Sequence, residues 1–412
     1  MRSLVPTIVS HRNDATPASS LIASEIGAAG PISFRRFMEL AIFAPRVGYH
    51  ERVAGGPGPE GDYLTSPELH GAFGALLCRL FEEMWRWMGR PSTFWLIEGG
   101  PGNGTFAADL LGVAHAVFPR FAATLRIALI ERSERLRARQ AAALANWAPI
   151  VRWLDPAPNS WQPLGMGCVF ANELLDAFPV HRVAMRADGL REIYVGLQGK
   201  EFAEIEQRPS STAIGRQLAA GRAQLREGQS GEVNLDAGAW VSAASELLTQ
   251  GYVLVLDYGE PARHLYGPSH PGGTLRCFRR HVMNQDPYTQ VGVQDITAHV
   301  DLSAVARAAE AAGLILEGAT RQSRLLRRLG LADVAGELTQ AVPGRVEQRA
   351  HRAALRLLSE PSHLGRISAL LFGKAAPPAR LAGFAAGARA TARCPGLIWE
   401  LRGDPFRLAE SM

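Results

Sequence analysis

From Phe94 onward, short apolar runs alternate with longer amphipathic stretches, the pattern of a parallel sheet flanked by helices. The runs predict strands at Phe94–Ile97, Arg126–Ile130, Val151–Leu154, Cys168–Ala171 and Val253–Asp257. About 80 residues separate the last two, too many for one crossover. Within that interval HRVAMRADG, LREIYVGLQG and EFAEIEQR predict three short antiparallel strands joined at Asp188–Gly189 and Gly199–Lys200, with two helices leading on to Gly251. This segment, about residues 178–250, reads as an insertion on the functional edge of the sheet. A loop rich in His, Pro, Gly and Tyr is expected from Asp257 to Val300. A helix over Ser303–Ala312, a strand at Leu314–Glu317, helices over roughly Gln322–Glu360 and a last strand in SALLFGKAA complete the pattern.

Before the sheet, residues 1–30 read as a flexible leader that turns helical near Ser19–Ile26. Ser33 is placed to cap a short helix ending at Ala41. Gly and Pro mark RVAGGPGPEGDYLTSPEL as a loop, with Ser66 as the expected cap of the next helix, Pro67 at its first position and Glu68 complementing its positive end. That helix puts Leu69, Phe73, Leu76, Leu80, Met84 and Met88 on one face, a core stripe.

Composition narrows the class. The 412 residues are 47% hydrophobic and 20% charged, as in ordinary globular proteins. No apolar run approaches the ~18 residues of a membrane span, so no membrane insertion is expected. The net charge of +5 comes mainly from arginine. Its concentrations at Arg135–Arg139, Arg321–Arg328 and Arg345–Arg356 read as solvated helix faces. They lack the interleaved aromatics of a single-stranded nucleic-acid binder. Cys78, Cys168, Cys277 and Cys394 form no CxxC pair, so neither a zinc site nor a disulfide framework is indicated, and a reducing compartment is the natural home. The N-terminus lacks the apolar region of a secretory signal.

The chemistry concentrates in FWLIEGGPGNGTFAADLL, where an apolar strand ends in Glu98, a turn carries Gly100, Gly102 and Gly104, and a helix begins at Thr105. Strand, glycine turn and helix present a nucleotide at the carboxyl end of a sheet. A second run, LRIALIE, ends in Glu131, suited to ribose hydroxyls. The spacing GxGxG, rather than GxGxxG, favours S-adenosylmethionine over a nicotinamide dinucleotide. In that reading Glu98 lies near the cationic methionine end. In NELLDAFP, Asn172 ends a strand, while Glu173 and Asp176 stand at i and i+3, where both carboxylates can face one side of a helical turn. They serve either to grip a cationic acceptor or to cap the turn, with Asn172 organising backbone. Asp295, His299 and Asp301 form a second constellation. His299 is a proton acceptor or part of a buried turn, and Asp301 is expected to cap the following helix. Around GDYLTSPE, Thr65 and its loop are expected to close over the cofactor.

Several stretches together carry a resemblance: GDYLTSPELHGAFG, IEGGPGNGTFAADLL, ANELLDAFPVHRV, LDYGEP, GTLRCF followed by His281, and VQDITAHVDLSAV. In this order, from about Phe34 to Gly373, they resemble the MidA-like methyltransferases, the mitochondrial complex I assembly methyltransferases and their bacterial relatives. The resemblance implies an α/β, class I S-adenosylmethionine-dependent fold with a seven-stranded mixed sheet. Read along its length, the chain divides into the leader, a helical cofactor-covering segment at 31–90, a methyltransferase domain at 91–376 with its insertion, and a tail at 377–412, with leader and tail outside the resemblance. The resemblance also implies S-adenosyl-L-methionine as cofactor and, for the mitochondrial member, arginine methylation of a complex I subunit. Cofactor contacts fall on Thr65, Glu98, Gly100, Gly102, Gly104, Glu131 and Asn172, and catalytic roles on Glu173, Asp176 and His299. His281, Tyr258 and Arg276 are expected along the acceptor channel. The implied partner is a protein substrate, in a bacterial cytoplasm or, in a eukaryote, the mitochondrial matrix. A non-catalytic assembly protein that binds the cofactor, a nicotinamide oxidoreductase and a small-molecule methyltransferase remain as alternatives.

Overall fold

In a computed structural model of the chain, residues 9–11, 15–52, 56–341, 344–377 and 380–384 are described. The chain opens with β1 (Val9–His11), α1 (Pro17–Ala29), β2 (Ile32–Ser33) and α2 (Phe34–Phe43). The expected leader is thus structured over its described part. Thr16 caps α1 in a capping box, and Ala18, Ile22 and Ile26 recur on one buried face against α2. Ser33 caps α2 by accepting from the Arg36 N–H.

Next come α3 (Ser66–Leu69) and α4 (Ala72–Trp87). The expected single helix is broken at His70, whose extended backbone separates the two while its Nδ1 accepts from the Ala72 N–H. The predicted stripe from Leu69 to Met88 is buried across both.

The core then alternates β3 (Phe94–Gly99), α5 (Thr105–Val117), α6 (Pro119–Ala122), β4 (Leu125–Ile130), α7 (Glu134–Ala143), β5 (Val151–Leu154) and β6 (Gly165–Asn172). An insertion follows with β7 (His181–Arg186), β8 (Gly189–Gln198), β9 (Glu201–Gln207), α8 (Thr212–Ala220), β10 (Ser230–Val233) and α9 (Asp236–Ser245). The chain rejoins the sheet at β11 (Leu248–Asp257).

Where a loop was expected to Val300, it builds β12 (Gly259–Glu260), α10 (Ala262–Leu265), β13 (Arg276–Arg279), β14 (Val282–Asn284), β15 (Asp295–Thr297) and β16 (Val300–Asp301). The described chain ends with α11 (Leu302–Ala311), β17 (Ile315–Arg321), α12 (Gln322–Leu329), α13 (Leu331–Ala341), α14 (Arg345–Ser359) and β18 (Ser368–Lys374). Of the expected tail, Leu381 and Ala382 are buried, and the Ala382 N–H donates to Glu83. Residues 385–412, with Cys394, lie outside the described residues.

The central sheet has seven strands in the order β17-β18-β11-β6-β3-β4-β5. The run from β11 to β5 is parallel, and β18 is antiparallel to both its neighbours. Strand order reverses between β3 and β6, the switch point at whose carboxyl end open α/β sheets bind ligands. A second sheet joins β1, β9, β8, β7 and β10, with β2 on β8. A third, β14-β13-β15, stands over the carboxyl end of β11 and β6 through its contact with the turn after β6, where the Ala298 N–H donates to the Asp176 carbonyl.

The glycine turn is seated from below by aromatic packing. Phe106, on the first turn of α5, meets Phe170 of β6 at a ring distance of 4.5 Å, Phe73 at 5.9 Å and Phe81 at 6.3 Å. Truncating a buried Phe removes transfer energy and leaves a cavity. Phe106→Ala is expected to lower unfolding free energy by about 3–5 kcal/mol, read from urea denaturation. A loss below about 1 kcal/mol would mean that α5 is held by its other contacts.

Candidate active site

Gly100, Gly102 and Gly104 all take positive φ, at 63°, 54° and 82°, a conformation that strains residues with a Cβ. At Gly100 a Cβ would also lie 2.7 Å from Leu174. This turn leads from the buried Glu98 into α5 and borders a cleft of ≈280 Å³ shared with Glu131, Phe43, His50 and Trp240. Glu131, at the end of β4, accepts from the Ser133 N–H at 2.9 Å and from Gln140 Nε2 at 3.2 Å. The same amide nitrogen donates to the Gly102 carbonyl at 2.9 Å, so Gln140 ties the second-strand acid to the glycine turn. Sequence reasoning missed Gln140; its buried polar role is visible only once α7 packs beneath the turn.

A smaller cavity of ≈60 Å³ opens beside the turn, lined by Thr65, Glu68, Glu98, Thr105 and Asn172 among others. Glu98 Oε2 and Asn172 Oδ1 are both buried there without a hydrogen-bond partner. Burial alone pushes the Glu98 carboxyl up to about 8. Two unsatisfied acceptors in one enclosed space suit a donor-rich cation such as a primary ammonium.

Thr65 occupies the cap position of α3 without a side-chain cap bond. Ser66, expected to cap, is instead the first helical residue. Its N–H donates to Glu173 Oε1 at 3.0 Å, and its hydroxyl donates to Gln322 Oε1 at 3.1 Å. The helix end is thus satisfied from a distant turn rather than by its own side chain.

Beyond β6, Glu173 sits at φ 50° and a single 3₁₀ turn, Leu175–Ala177, follows. The buried Asp257 carboxylate, at the end of β11, accepts from the N–H groups of Leu175 at 2.7 Å, Leu174 at 3.2 Å and Tyr258 at 2.8 Å. Asp257 therefore holds the Leu174 and Leu175 amides, while Glu173 takes the Ser66 amide that opens α3 and Asp176 accepts main-chain N–H groups at its own turn. Asn172 Nδ2 donates to Glu173 Oε1 at 3.0 Å, fixing that carboxylate. Asp257 was read only as a strand end, although an acid closing an apolar strand is the signal that picked out Glu98 and Glu131.

A third cavity, ≈290 Å³, is lined by Asp62, Glu173, Asp176 and Asp295, with Tyr258, Arg276, His281, His299 and Arg366. Alternation along the third sheet builds one wall. Arg276, Phe278, Asp295 and Thr297 face the cavity, while Cys277 and Ile296 face the N-terminal core. Burial, then the nearby Asp176, pushes Asp295 up to about 8, and its Oδ1 has no partner. Burial also raises Glu173 to about 7, and raises Asp176.

His299 stacks on Tyr258 at 6.3 Å, and its Nδ1 is unpartnered. Burial and then Arg366 lower its pKa to about 4, so the ring is neutral near pH 7. Asp301 caps α11 through the Ser303 and Ala304 N–H groups. Gln294 is occupied in holding the β14–β15 connection, donating to the carbonyls of Asp286 and Thr289.

The compartments meet at Tyr63 and Glu173, which line all three cavities. The loop between them is anchored through Asp62. Its carboxylate accepts from the Tyr49 hydroxyl at 2.8 Å and the Arg280 N–H at 2.8 Å, and its carbonyl accepts from the His281 N–H at 2.9 Å. The cleft-covering loop and the β13–β14 turn thus share one anchor.

A seven-stranded sheet in this order, with a glycine turn after its central strand and an acid ending the next, defines a class I S-adenosylmethionine-dependent methyltransferase. Residues 76–320 match Methyltransf_28, a family of S-adenosyl-L-methionine-dependent methyltransferases. The chain belongs to this MidA-like family, which sets the nicotinamide alternative aside. The mitochondrial protein arginine methyltransferase NDUFAF7 of Mus musculus is 30% identical over 359 residues, 79% of this chain and 78% of that protein. Its Homo sapiens counterpart is 28% identical over 344 residues, 77% and 74% of the two chains. A COG1565 superfamily member from Burkholderia thailandensis, solved with bound S-adenosyl-homocysteine, superposes with a TM-score of 0.80 at 32% identity over 90% of this chain and 95% of that one.

An acid whose pKa is higher in the fold than in the unfolded chain binds more protons folded, so stability falls as pH rises between the two values. For Glu98 that window runs from 4.5 to about 8. Across it, the ligand-free protein is expected to lose stability relative to Glu98→Gln, measured as the difference in urea unfolding free energy at each pH. A constant difference would show that Glu98 is ionised at no cost.

Proposed function

We infer that this methyltransferase acts on arginine side chains of a protein, with a respiratory complex I subunit or its bacterial counterpart as the substrate. The observation that carries the reading is the cavity with four carboxylates, Asp62, Glu173, Asp176 and Asp295, joined to the cofactor cleft at Glu173. A guanidinium is permanently charged and planar, and carboxylates grip its fork bidentately. Entry of such a cation offsets the burial that now holds Glu173, Asp176 and Asp295 toward their neutral forms. Relatives named protein arginine methyltransferases support the acceptor type, and the family resemblance supports the complex I subunit. The reading implies the compartment where that complex is assembled, a bacterial cytoplasm or the mitochondrial matrix. Among the described residues no helix is long and apolar enough to cross a membrane.

In this reading Gly100, Gly102 and Gly104 let the cofactor lie against bare main chain. Glu131 takes the ribose hydroxyls with its remaining lone pairs, Glu98 and Asn172 take the methionyl ammonium, and Thr65 lies in the loop that covers it. S-adenosylmethionine, when bound, supplies an electrophilic methyl group on a sulfonium. Glu173 and Asp176 orient the acceptor nitrogen, and much of the rate comes from that positioning. His299, neutral and with an unpartnered Nδ1, is the candidate proton acceptor in this cavity. The burial and Arg366 that keep it neutral also weaken it as a base, so water serves as the second route for the proton.

Incubation with S-adenosylmethionine and the complex I subunit of the source organism is expected to add methyl groups to arginine, located by peptide mass spectrometry. Glu173→Gln and Asp176→Asn should each lower kcat by about 100-fold while S-adenosyl-homocysteine affinity holds. Modification of another residue type, or full activity in both variants, would refute the reading.

A further inference from the structure

We propose that β14 is the docking edge for the acceptor polypeptide, which adds an extended strand there and carries acidic residues near its target side chain. This rests on the reading of the adjoining cavity as the acceptor site.

The third sheet has the order β14-β13-β15, so β14 is an edge strand with no partner on its outer side among the described residues. The connection from Arg279 to Val282 is a two-residue turn in which both Arg280 and His281 take positive φ, as in a type I′ hairpin. In such a hairpin the pair next to the turn, Arg279 and Val282, exchanges the main-chain hydrogen bonds, and the following pair does not. Met283, opposite Phe278, belongs to that following pair. Its N–H and C=O therefore point away from β13, toward the open edge.

Edge strands are usually blunted by charge or proline. This one instead exposes Val282 at 66% and Met283 at 53%. Met283 lies on the same sheet face as Phe278, and Phe278 lines the acid-walled cavity. An added strand would therefore continue the cavity wall outward, and its side chains on that face would point toward the four carboxylates. The free edge and the cavity form one continuous surface.

Charge completes the fit. The cavity sets four carboxylates against Arg276 and Arg366, and the hairpin turn beside it adds Arg279 and Arg280. A segment matching both carries a cation to be inserted and carboxylates beside it. Strand addition supplies affinity through main-chain hydrogen bonds and specificity through alternate side chains.

The test uses the full chain with S-adenosyl-homocysteine and fluorescent strand-forming peptides of about ten residues, read by anisotropy. One peptide carries central arginine flanked by aspartates. Others replace the arginine by glutamine, replace the aspartates by lysines, or methylate alternate backbone nitrogens. Met283→Pro removes the outward N–H at a position an edge strand tolerates. Met283→Lys keeps the main chain and blunts the edge with charge. Unchanged melting temperature and S-adenosyl-homocysteine affinity serve as controls for both.

Binding of the aspartate-flanked peptide is expected, weakened about tenfold or more by either substitution, by lysine flanks and by backbone methylation. Equal binding by wild type and both variants, or no binding of any peptide by wild type, would overturn the docking edge. If the glutamine peptide binds as well as the arginine peptide while Met283→Pro binds neither, the edge stands and the arginine reading falls.

Discussion

The carboxylate of Asp257 is the interaction on which the site depends. It is fully buried and gives its oxygens to three main-chain amides, those of Leu174, Leu175 and Tyr258. Those amides belong to the turns leaving two adjacent parallel strands, β6 and β11, whose register pairs Asn172 with Leu256. One side chain thereby fixes where both turns leave the sheet. With those amides held by Asp257, Glu173 reaches across to the Ser66 N–H, and both Glu173 and Asp176 line the third cavity. Burial raises the Asp257 pKa, and the nearby Asp176 adds to it, so the pin and the group it positions are electrostatically coupled.

The same economy recurs along the carboxyl edge of the sheet. Glu98, Glu131 and Asp257 each close an apolar strand, and Glu173 follows one. Among the described residues none of the four forms a salt bridge, and burial holds each back from ionisation. A natural protein that leaves several buried acids without counterions has left room for a charge that arrives from outside. In the proposed function, the unpartnered Glu98 Oε2, Asn172 Oδ1 and Asp295 Oδ1 are where such a charge would enter.

The strands of the central sheet from β3 to β11, and β18, were legible because each is a local apolar run, and the hairpins of the first insertion because Asp188–Gly189 and Gly199–Lys200 carry turn chemistry. The strand β17, ILEGATR, was foreseen only over its first residues. The cap at Asp301 was legible for the same local reason. What escaped was non-local. The third sheet is made of strands of three and four residues whose cavity face is polar, so their alternation is masked by Arg276, Asp295 and Thr297. Ser66 looked like a cap because its neighbours suit a helix start, but Glu173, 107 positions away, satisfies that amide. Residues 15–29 looked like a leader because the pattern Ala18, Ile22, Ile26 is short and gains meaning only against α2. The candidate residues themselves were chosen as chemistry at strand ends, whereas Gln140 and Asp257 act through partners that only folding brings near.

Asp62 links parts of the molecule with different duties. It fastens the loop over the cofactor cleft to the β13–β14 turn, which belongs to the wall of the neighbouring cavity. A hinge that lifts the loop must therefore drag the wall or break the bonds to Arg280 and His281. Under the proposed function, exchange of spent cofactor and departure of the modified chain would then be coupled through this one residue.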